Sequence, residues 1–548
     1  MTTTAIPSVQ SAVQLVGPDT LALNAAKPVH RPGARQILAK VECVGLCQSD
    51  MKLLHQFSGH ARKTPVLKHV TADILAQIPS YVPDGAATVP GHEAVVRVVE
   101  VGAGVTSVAV GGRYLVQADF RDLKTAGSNG AFGYNFEGGL QQYVLLDERV
   151  TVAKDGTSYL IPVPNERGAS QIALVEPWAC IEDSFINRER TALKPGGTCL
   201  VVVAKGVTAD LSGLDTGVCA TRLIHGAALA GFTTADLGTL AAQSVDDLVF
   251  IGHDADLFDR CLPLLANGAL VAIATAAGRF GRPVKLPVGR VHYGNLRFVG
   301  TPGNAPAKAL ARIPATAEVR QGDRVHVVGA AGPMGSMAVI RLCSLGRGLS
   351  VEAGDRSVPR LEVLRGKAAP VAAARGVNLR LYDASTEKPS AAADYTVIMV
   401  PIAPLVSAAV TASRPKGIIN IFAGIAADVW EPIDLDTYID HALYFIGTSG
   451  STMEDMQVVL RKVLDDSLDT NLSVGAVCGI GGAITGLDAV KKNLIAGKIL
   501  VYPDLGDFPL TELAELVARF PSVGAAMRGG AWTREAELEL LRVGCGAR

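Results

Sequence analysis

The sequence predicts an α/β protein in which a β-rich N-terminal region precedes two tandem doubly wound units, the first of them degenerate. Between Val89 and Val116, short valine-rich runs are separated by glycines, which is typical of an all-β unit. After about residue 190, apolar strands alternate with Ala/Leu-rich helices, as in βαβ units with parallel sheets. The evidence for two such units is a repeated set of sequence features.

Composition limits the class of protein. The chain has 548 residues and is 49% hydrophobic and 19% charged, so we expect several domains, each with a hydrophobic core. Its formal net charge is −1. The sequence contains no block of like charge that would favour binding to nucleic acid. Nine scattered cysteines favour a reducing cytoplasm over a disulfide framework. We find no signal peptide in Met1–Ala26 and no apolar run near the roughly 20 residues that span a bilayer, which predicts a soluble cytoplasmic protein.

The internal repeat is defined by matched spacings. Asp247-Leu-Val-Phe-Ile and Asp394-Tyr-Thr-Val-Ile lie 147 residues apart, as do Phe298-Val-Gly-Thr and Phe445-Ile-Gly-Thr. The upstream strands, Pro195–Val203 and Gln321–Gly329, lie only 126 residues apart, so the first copy is 21 residues shorter. Any two doubly wound domains share some pattern, but matched spacing favours duplication.

The second copy carries a complete dinucleotide-binding pattern. An apolar strand runs into a G-x-x-G-x-x-G turn, and Asp355 ends the next strand 20 residues beyond the last glycine. Asp355 favours NAD, whereas the neighbouring Arg356 leaves NADP open. The predicted cofactor-binding residues are Gly329, Ala331, Gly332, Pro333, Met334, Gly335, Asp355 and Arg356.

The first copy lacks most of this pattern. Val203 and Ala209 replace the outer glycines, and only Gly206 remains. A β-branched residue is unfavourable where the backbone must approach a pyrophosphate. We also expect the missing 21 residues to remove the second strand and its ribose-binding acid, so this copy is predicted to have lost dinucleotide binding.

Four side chains in the N-terminal region suit Zn²⁺. They are Cys47, His92, Glu93 and Glu176. A thiolate, an imidazole and carboxylates form a borderline-soft ligand set with room for an open position. Taken singly, a Cys or His is more often part of the core or surface, so the hypothesis depends on the combination.

Three segments carry a family resemblance. They are G-L-C-Q-S-D, G-H-E-A-V-V-R-V-V-E-V-G-A-G-V-T-S-V-A-V-G-G-R and E-G-G-L-Q-Q-Y, and they resemble the medium-chain zinc-dependent alcohol and polyol dehydrogenases over about residues 30–180 and 318–503. The L-V-E-P stretch at residues 174–177, which contains Glu176, is similar to the sorbitol dehydrogenase branch. Together, C-x-S-D-x-K and G-A-A-G-P-M-G resemble sugar-phosphate reductases of the L-sorbose 1-phosphate type.

The resemblance and the internal repeat together predict a domain organisation. It comprises a GroES-like zinc-binding catalytic domain over 1–190, a degenerate Rossmann-like domain over 191–317, an NAD(P)-binding Rossmann domain over 318–470, and a return to the catalytic domain with a helical tail over 471–548. Three features depart from the family. The four-cysteine structural zinc site is absent, the interval from Cys47 to His92 is long enough for an inserted loop over the cleft, and 191–317 has no counterpart.

The resemblance also implies roles. One catalytic zinc would be held by Cys47, His92 and either Glu93 or Glu176, and Glu93 also counts among the catalytic residues. Ser49 matches the proton-relay hydroxyl and Asp50 would orient a ligand. Lys52 would transfer protons or bind an anionic group, although a solvated surface lysine is as compatible with its position. Hydride would pass between NAD(P) and a polyol, sugar or sugar phosphate in a cleft between two domains.

Two other functions stay open. An epimerase or lyase would keep NAD bound and oxidise a sugar-like substrate transiently, and a non-catalytic binding protein would use the same scaffold. In each case the predicted partner is a small molecule, with neither nucleic acid nor membrane, and the family implies a homodimer or homotetramer through the cofactor domain.

Overall fold

A computed structural model describes residues 5–448 and 450–545. The chain forms two compact units, one comprising Met1–Ala179 with Ser451–Arg548 and the other Cys180–Gly450. These boundaries differ from the predicted ones at 190 and 470. Helix Val175–Asp183 runs across the first boundary, and the segment after Ser451 belongs to the first unit because its helix packs against Ala169–Ala173.

The first unit is built around an eight-stranded, mainly antiparallel sheet. Its strands are Gln36–Gly45, Glu93–Val101, Arg113–Val116, Tyr143–Asp147, Leu160–Pro162, Val474–Cys478, Lys498–Val501 and Thr511–Glu512. Two hairpins accompany it, Val9–Gly17 with Thr20–Pro28 and Asp119–Lys124 with Asn129–Ala131. The predicted β-rich character of the N-terminal region is confirmed.

The helices of this unit lie in the connections and the C-terminal segment. They are Gln48–Gln56, Ala72–Leu75, Glu148–Thr151, Ala169–Ala173, Val175–Asp183, Met453–Leu464, Ala483–Lys491, Leu513–Arg519, Pro521–Ala526 and Arg534–Cys545. An apolar core formed by the sheet and these helices includes Val41, Val96, Leu140 and Ile499, each at most 1% exposed.

The second unit contains two six-stranded parallel sheets with the same strand order, 3-2-1-4-5-6. The first copy (residues 191–317) supplies Thr198–Val203, Thr221–His225, Thr233–Thr234, Val245–Ile251, Leu265–Ala274 and Arg297–Thr301. The second copy (residues 318–448) supplies Arg324–Val328, Ser350–Asp355, Asn378–Asp383, Ala393–Ile398, Ser413–Ile421 and Tyr444–Ile446. A further antiparallel pair joins Val284–Leu286 to Glu431–Ile433. The predicted α/β class with tandem doubly wound sheets is confirmed.

The helices show how the two copies differ. The first copy has Ala255–Cys261, Val288–Tyr293 and Pro306–Leu310, whereas the second has Pro333–Leu345, Val358–Arg375, Pro404–Thr411 and Leu435–Asp440. Residues 204–220 of the first copy contain only the 3₁₀ turn Thr216–Val218. The first copy therefore lacks the helices that follow the first and second strands of the second copy.

One prediction about the first copy is wrong. Its second strand, Thr221–His225, is present and pairs with Thr198–Val203, so the 21 missing residues do not remove it. They fall in helical connections, which lie outside the sheet and are lost without breaking the ladder of strand hydrogen bonds. The ribose-binding acid is absent, since the register places Gly226 where the second copy has Asp355.

The fourth strands of the two copies, Val245–Ile251 and Ala393–Ile398, align one residue away from the match of Asp247 with Asp394 that the sequence suggests. The Thr198 N–H donates to Asp246, just as the Arg324 N–H donates to Asp394. Asp246, rather than Asp247, is therefore the counterpart of Asp394, because position in the sheet decides equivalence.

Within residues 5–448 and 450–545, no helix is long and apolar enough to cross a membrane.

Candidate metal centre

Cys47 lies at the junction between a sheet strand and a helix. It precedes helix Gln48–Gln56 as its N-cap residue, and its N–H donates to Asp50 Oδ2 at 3.2 Å. The positive end of a helix dipole favours negative charge at this position, which suits a thiolate ligand. The local structure by itself therefore suits Cys47 as a ligand of a cation.

His92 is held in a defined orientation by a buried carboxylate. Its Nδ1 lies 2.9 Å from Asp50 Oδ1, and Asp50 is fully buried. A protonated Nδ1 donating to Asp50 leaves the Nε2 lone pair available to a metal. Burial disfavours the charged imidazole, but the Asp50 carboxylate outweighs this effect, and the pKa of His92 is raised well above its ordinary value.

Glu93 follows at the start of strand Glu93–Val101 and is fully buried. Its Oε1 accepts from Lys498 Nζ at 2.5 Å, and its Oε2 has no hydrogen-bond partner. The paired residue on the neighbouring strand is Gly45, where a Cβ atom would come within 2.1 Å of Glu93 Oε2. A side chain at position 45 would therefore displace this carboxylate from its present position.

These three side chains form one cluster. Among the residues that the structure describes, Cys47, His92 and Glu93 each offer a ligand atom, and the three atoms lie within 4.8 Å of one another. Glu176 does not belong to this cluster but is electrostatically linked to it. Burial raises the pKa of Glu176 to about 7, with opposing contributions from the charges of His92, Glu93 and Lys498.

Ser49 lies beside the cluster. Its Oγ is 3.2 Å from Cys47 Sγ and 3.2 Å from His92 Nε2. The Tyr134 side chain interacts with Ser49, and its pKa is raised by burial. The Tyr134 ring lies 5.8 Å from the His92 ring, so a chain of hydroxyl groups adjoins the candidate ligands.

The long interval between Cys47 and His92 brings positive charge to this region. It contains the turns Phe57–Gly59 and Ala61–Lys63, the second of which places His60 5.1 Å from the Tyr134 ring and Arg62 5.5 Å from it. Burial lowers the pKa of His60 to about 4, and the charges of Arg62 and Lys52 lower it further. Lys52 is exposed, one turn beyond Ser49 on the same helix.

In the second unit, the glycine turn has the geometry expected of a dinucleotide loop. Gly329 has φ +81°, and a Cβ atom there would lie 2.4 Å from Val400 Cγ1, while one at Gly335 would lie 2.2 Å from the Gly329 carbonyl oxygen. At Gly332 the nearest atom would be 3.9 Å away. Two glycines thus serve the turn and the close packing of helix against strand, and the middle one leaves space for a ligand.

The other predicted cofactor-binding residues are near this turn. The Ala331 N–H donates to Asp355 Oδ2 at 2.9 Å, which ties the turn to the end of the next strand. Pro333 and Met334 form the first turn of helix Pro333–Leu345, whose N–H groups point out of the helix end. Arg356 is exposed beside Asp355.

Two residues of the centre were missed by sequence analysis. Lys498 begins a strand whose other residues are apolar and which is buried along its whole length, and this was the available signal. Tyr134 lies in a glycine- and aromatic-rich stretch with no distinguishing pattern, and only the fold brings it beside His92.

Part of the first unit matches a known domain family. Residues 33–156 match the family described as the alcohol dehydrogenase GroES-like domain. The (R,R)-butanediol dehydrogenase of Bacillus subtilis (strain 168) is 33% identical over 164 residues, a match that spans 28% of this chain and 40% of that relative's length.

Two solved structures share the fold. The 2R,3R-butanediol dehydrogenase from Bacillus subtilis has a TM-score of 0.51 at 16% identity, covering 90% of this chain and 99% of its own. A putative zinc-binding dehydrogenase from Sinorhizobium meliloti 1021 bound to NADP has a TM-score of 0.50 at 14% identity, covering 91% and 100%. At such identities the likeness concerns the fold alone. Residues 33–156 are thus similar to an alcohol dehydrogenase GroES-like domain, and the chain shares the overall fold of these dehydrogenases.

The Lys498–Glu93 pair yields a stability prediction. In metal-free protein, Lys498→Met should lower the free energy of unfolding by about 3–5 kcal/mol, because it leaves a buried carboxylate without a counter-ion. Adding Glu93→Gln should restore much of the loss, since the two effects are coupled. Urea denaturation in EDTA measures both variants.

The exposed pair Lys492–Asp488 provides the control. These side chains are 2.7 Å apart but 59% and 49% exposed, so Lys492→Met should cost less than about 1 kcal/mol. Equal losses for the two lysine variants would contradict the importance assigned to the buried pair.

Proposed function

We propose that this chain is a zinc-dependent oxidoreductase that transfers a hydride between NAD(P) and a secondary alcohol or ketone of a polyol, sugar or sugar phosphate. The observation that carries the proposal is the cluster of Cys47, His92 and Glu93, whose ligand atoms lie within 4.8 Å of one another. The unpartnered Glu93 Oε2 in this cluster is a buried acceptor that a cation would satisfy.

The donor set fits zinc. Sulfur, imidazole nitrogen and carboxylate oxygen together suit this ion, and bound zinc would supply Lewis-acid polarisation of the substrate oxygen. Asp50 fixes both the His92 ring and the Cys47 backbone, so one carboxylate orients two candidate ligands. Glu176 adjoins them with a raised pKa and can serve as an alternative carboxylate ligand.

Proton transfer is assigned to Ser49. Its hydroxyl is 3.2 Å from both Cys47 Sγ and His92 Nε2, which places it within reach of a group bound at the metal position. A hydroxyl both donates and accepts, so Ser49 can take the proton of a substrate alcohol and pass another onward. The Tyr134 side chain, which interacts with Ser49, and Lys52 on the next turn are candidates for its continuation.

The second copy is proposed to bind the dinucleotide. Space at Gly332 and the first-turn N–H groups of helix Pro333–Leu345 suit the pyrophosphate. Asp355 accepts from Ala331 and Ser357 backbone N–H groups, and its remaining lone pairs suit ribose hydroxyls. NAD is favoured because this carboxylate repels a 2′-phosphate, and the bound nicotinamide would accept or donate the hydride.

The substrate class follows from charge around the metal position. Lys52, one turn from Ser49, and Arg62, over the Tyr134 ring, are charged donors suited to an anionic group, whereas His60, whose pKa is lowered to about 4, is neutral near pH 7. The relative matched over 164 residues is named for butanediol, a diol. A polyol chain bearing a phosphate would combine a metal-binding hydroxyl with an anion for these side chains.

The metal assignment predicts a selective loss. Cys47→Ser should abolish both zinc content and dehydrogenase activity, because hydroxyl oxygen is a poor substitute for thiolate sulfur. Ser49→Ala should retain zinc and lower kcat by about 100-fold or more. Metal analysis by mass spectrometry and NADH absorbance separate the two effects. Cys180→Ser, a half-buried cysteine of the second unit, is the matched control. Full zinc in the Cys47 variant would refute the assignment.

The cofactor assignment predicts a difference between the copies. Gly332→Val and Asp355→Ala should weaken NADH binding at least about 10-fold, whereas Lys205→Ala in the corresponding turn of the first copy should have no effect. Fluorescence titration of NADH measures affinity and stoichiometry. Two nucleotides per chain would contradict the loss of binding by the first copy.

The substrate class is tested with matched pairs of polyols and their phosphates. Arg62→Ala and Lys52→Ala should raise KM for the phosphorylated member at least several-fold and leave the other unchanged. Net NADH formation supports the dehydrogenase, while turnover of a sugar without external NAD would support the epimerase or lyase instead. Equal effects on both members of each pair would exclude the anion-binding role.

A further inference from the structure

The contacts between the two copies in the second unit are related as in a two-fold symmetric pair. Strand Val284–Leu286 of the first copy pairs antiparallel with Glu431–Ile433 of the second, with Val284 opposite Ile433 and Leu286 opposite Glu431. Residues 431–433 are the counterparts of 284–286, 147 positions later. Each strand therefore pairs with its own duplicate, which is the relation of subunits in a two-fold dimer.

A second pair of contacts obeys the same rule. A Cβ atom at Gly300 would lie 2.4 Å from Ile439 Cγ1, and one at Gly447 would lie 3.1 Å from His292 Cα. Positions 300 and 447, and positions 292 and 439, are each 147 apart. The same two surface positions thus meet twice with their roles exchanged, as an isologous interface requires.

The interface is apolar, buried and hydrogen-bonded. Val291 and Phe298 of the first copy share one buried core with Tyr438 and Phe445 of the second, and all four are fully buried. The Tyr438 hydroxyl donates to the Phe298 carbonyl at 2.8 Å. The Arg297 guanidinium, itself buried, donates to the Gly447 carbonyl at 2.8 Å. Such an interface resembles a domain core and is not a transient contact.

The differences between the first copy and the second fit a role of the first copy in contacting the second. Near the interface its sequence is retained, with Phe298-Val-Gly-Thr against Phe445-Ile-Gly-Thr. At the end that corresponds to the glycine turn, the two outer glycines, the helix after the first strand and the acid at the end of the second strand are missing. The first copy has therefore kept the surface that contacts the second copy and lost the parts that contact a cofactor.

We propose that the first copy is a built-in partner of the second, occupying the two-fold face through which a second copy of this chain would otherwise bind. The fused pair closes this interface within one chain, so no second chain associates through it. This inference rests on the contacts between the copies and does not depend on the proposed enzyme activity. It replaces the homodimer through the cofactor domain that the family resemblance implies.

A disulfide trap tests the inference. Lys285 and Pro432 are directly opposed in the antiparallel pair, and both are exposed, so cysteines at these positions leave the core intact. Opposed Cβ atoms about 4.5–5.5 Å apart are within reach of a disulfide after small adjustment. The full-length double variant Lys285→Cys/Pro432→Cys is oxidised over a range of protein concentrations, beside the parent and each single variant.

The expected product is a disulfide between positions 285 and 432 within a single 57.0 kDa chain at every concentration, identified by non-reducing electrophoresis and peptide mass mapping. Sedimentation should give the same mass before and after oxidation, because the face is already closed within the chain. A covalent dimer through these cysteines would overturn the proposal, as would failure to form the 285–432 bond. A fall in sedimenting mass on oxidation would also overturn it, since the face would then be joining two chains.

Discussion

The part of the first unit that contains Cys47, His92 and Glu93 depends on one constraint, which is the burial of the Glu93 carboxylate. A charge at 0% exposure requires a counter-ion, and Lys498 supplies it from a strand more than 400 positions later in the chain. The carboxylate also needs the space left by Gly45 on the paired strand. Because strand Gln36–Gly45 pairs with both Glu93–Val101 and Lys498–Val501, one set of sheet contacts brings these groups together. Cys47 lies two residues after the end of strand Gln36–Gly45, and His92 immediately precedes strand Glu93–Val101.

A second carboxylate, Asp50, turns this arrangement into a site with defined geometry. Its two oxygens contact the Cys47 N–H and His92 Nδ1, so the side chains on a helix and a strand are positioned relative to each other. Its burial strengthens both interactions, because the surrounding medium screens them poorly. Within this cluster, Glu93 Oε2 has no hydrogen-bond partner and is a buried acceptor that a cation would satisfy.

The second unit shows that a doubly wound fold can serve two purposes. In both copies the same strand order is kept, since the sheet is the core of the domain. The connections at the nucleotide end are free to change when no ligand requires them, and in the first copy they have lost two helices. The interface positions are not free in this way, because Gly300 and Gly447 have no room for a side chain. Whether a segment of the first copy was lost or retained thus follows from what that segment contacts.

The sequence by itself determined the α/β class, the two doubly wound sheets, the glycine turn with Asp355, and Cys47, His92 and Glu93 as members of one centre. These features have local signals, namely strand and helix periodicity, glycines at fixed spacing, and a family resemblance in short segments. Only the tertiary structure decided the rest. Lys498 and Tyr134 join the centre through contacts between residues far apart in the chain, and the second strand of the first copy survives because deletions fell in connections outside the sheet. The two-fold pairing of the copies was likewise beyond sequence analysis, because a repeat gives the spacing of equivalent residues but not which surfaces meet. That choice depends on the register of strand Val284–Leu286 against Glu431–Ile433 and on close approach at two glycines, and both are properties of packing.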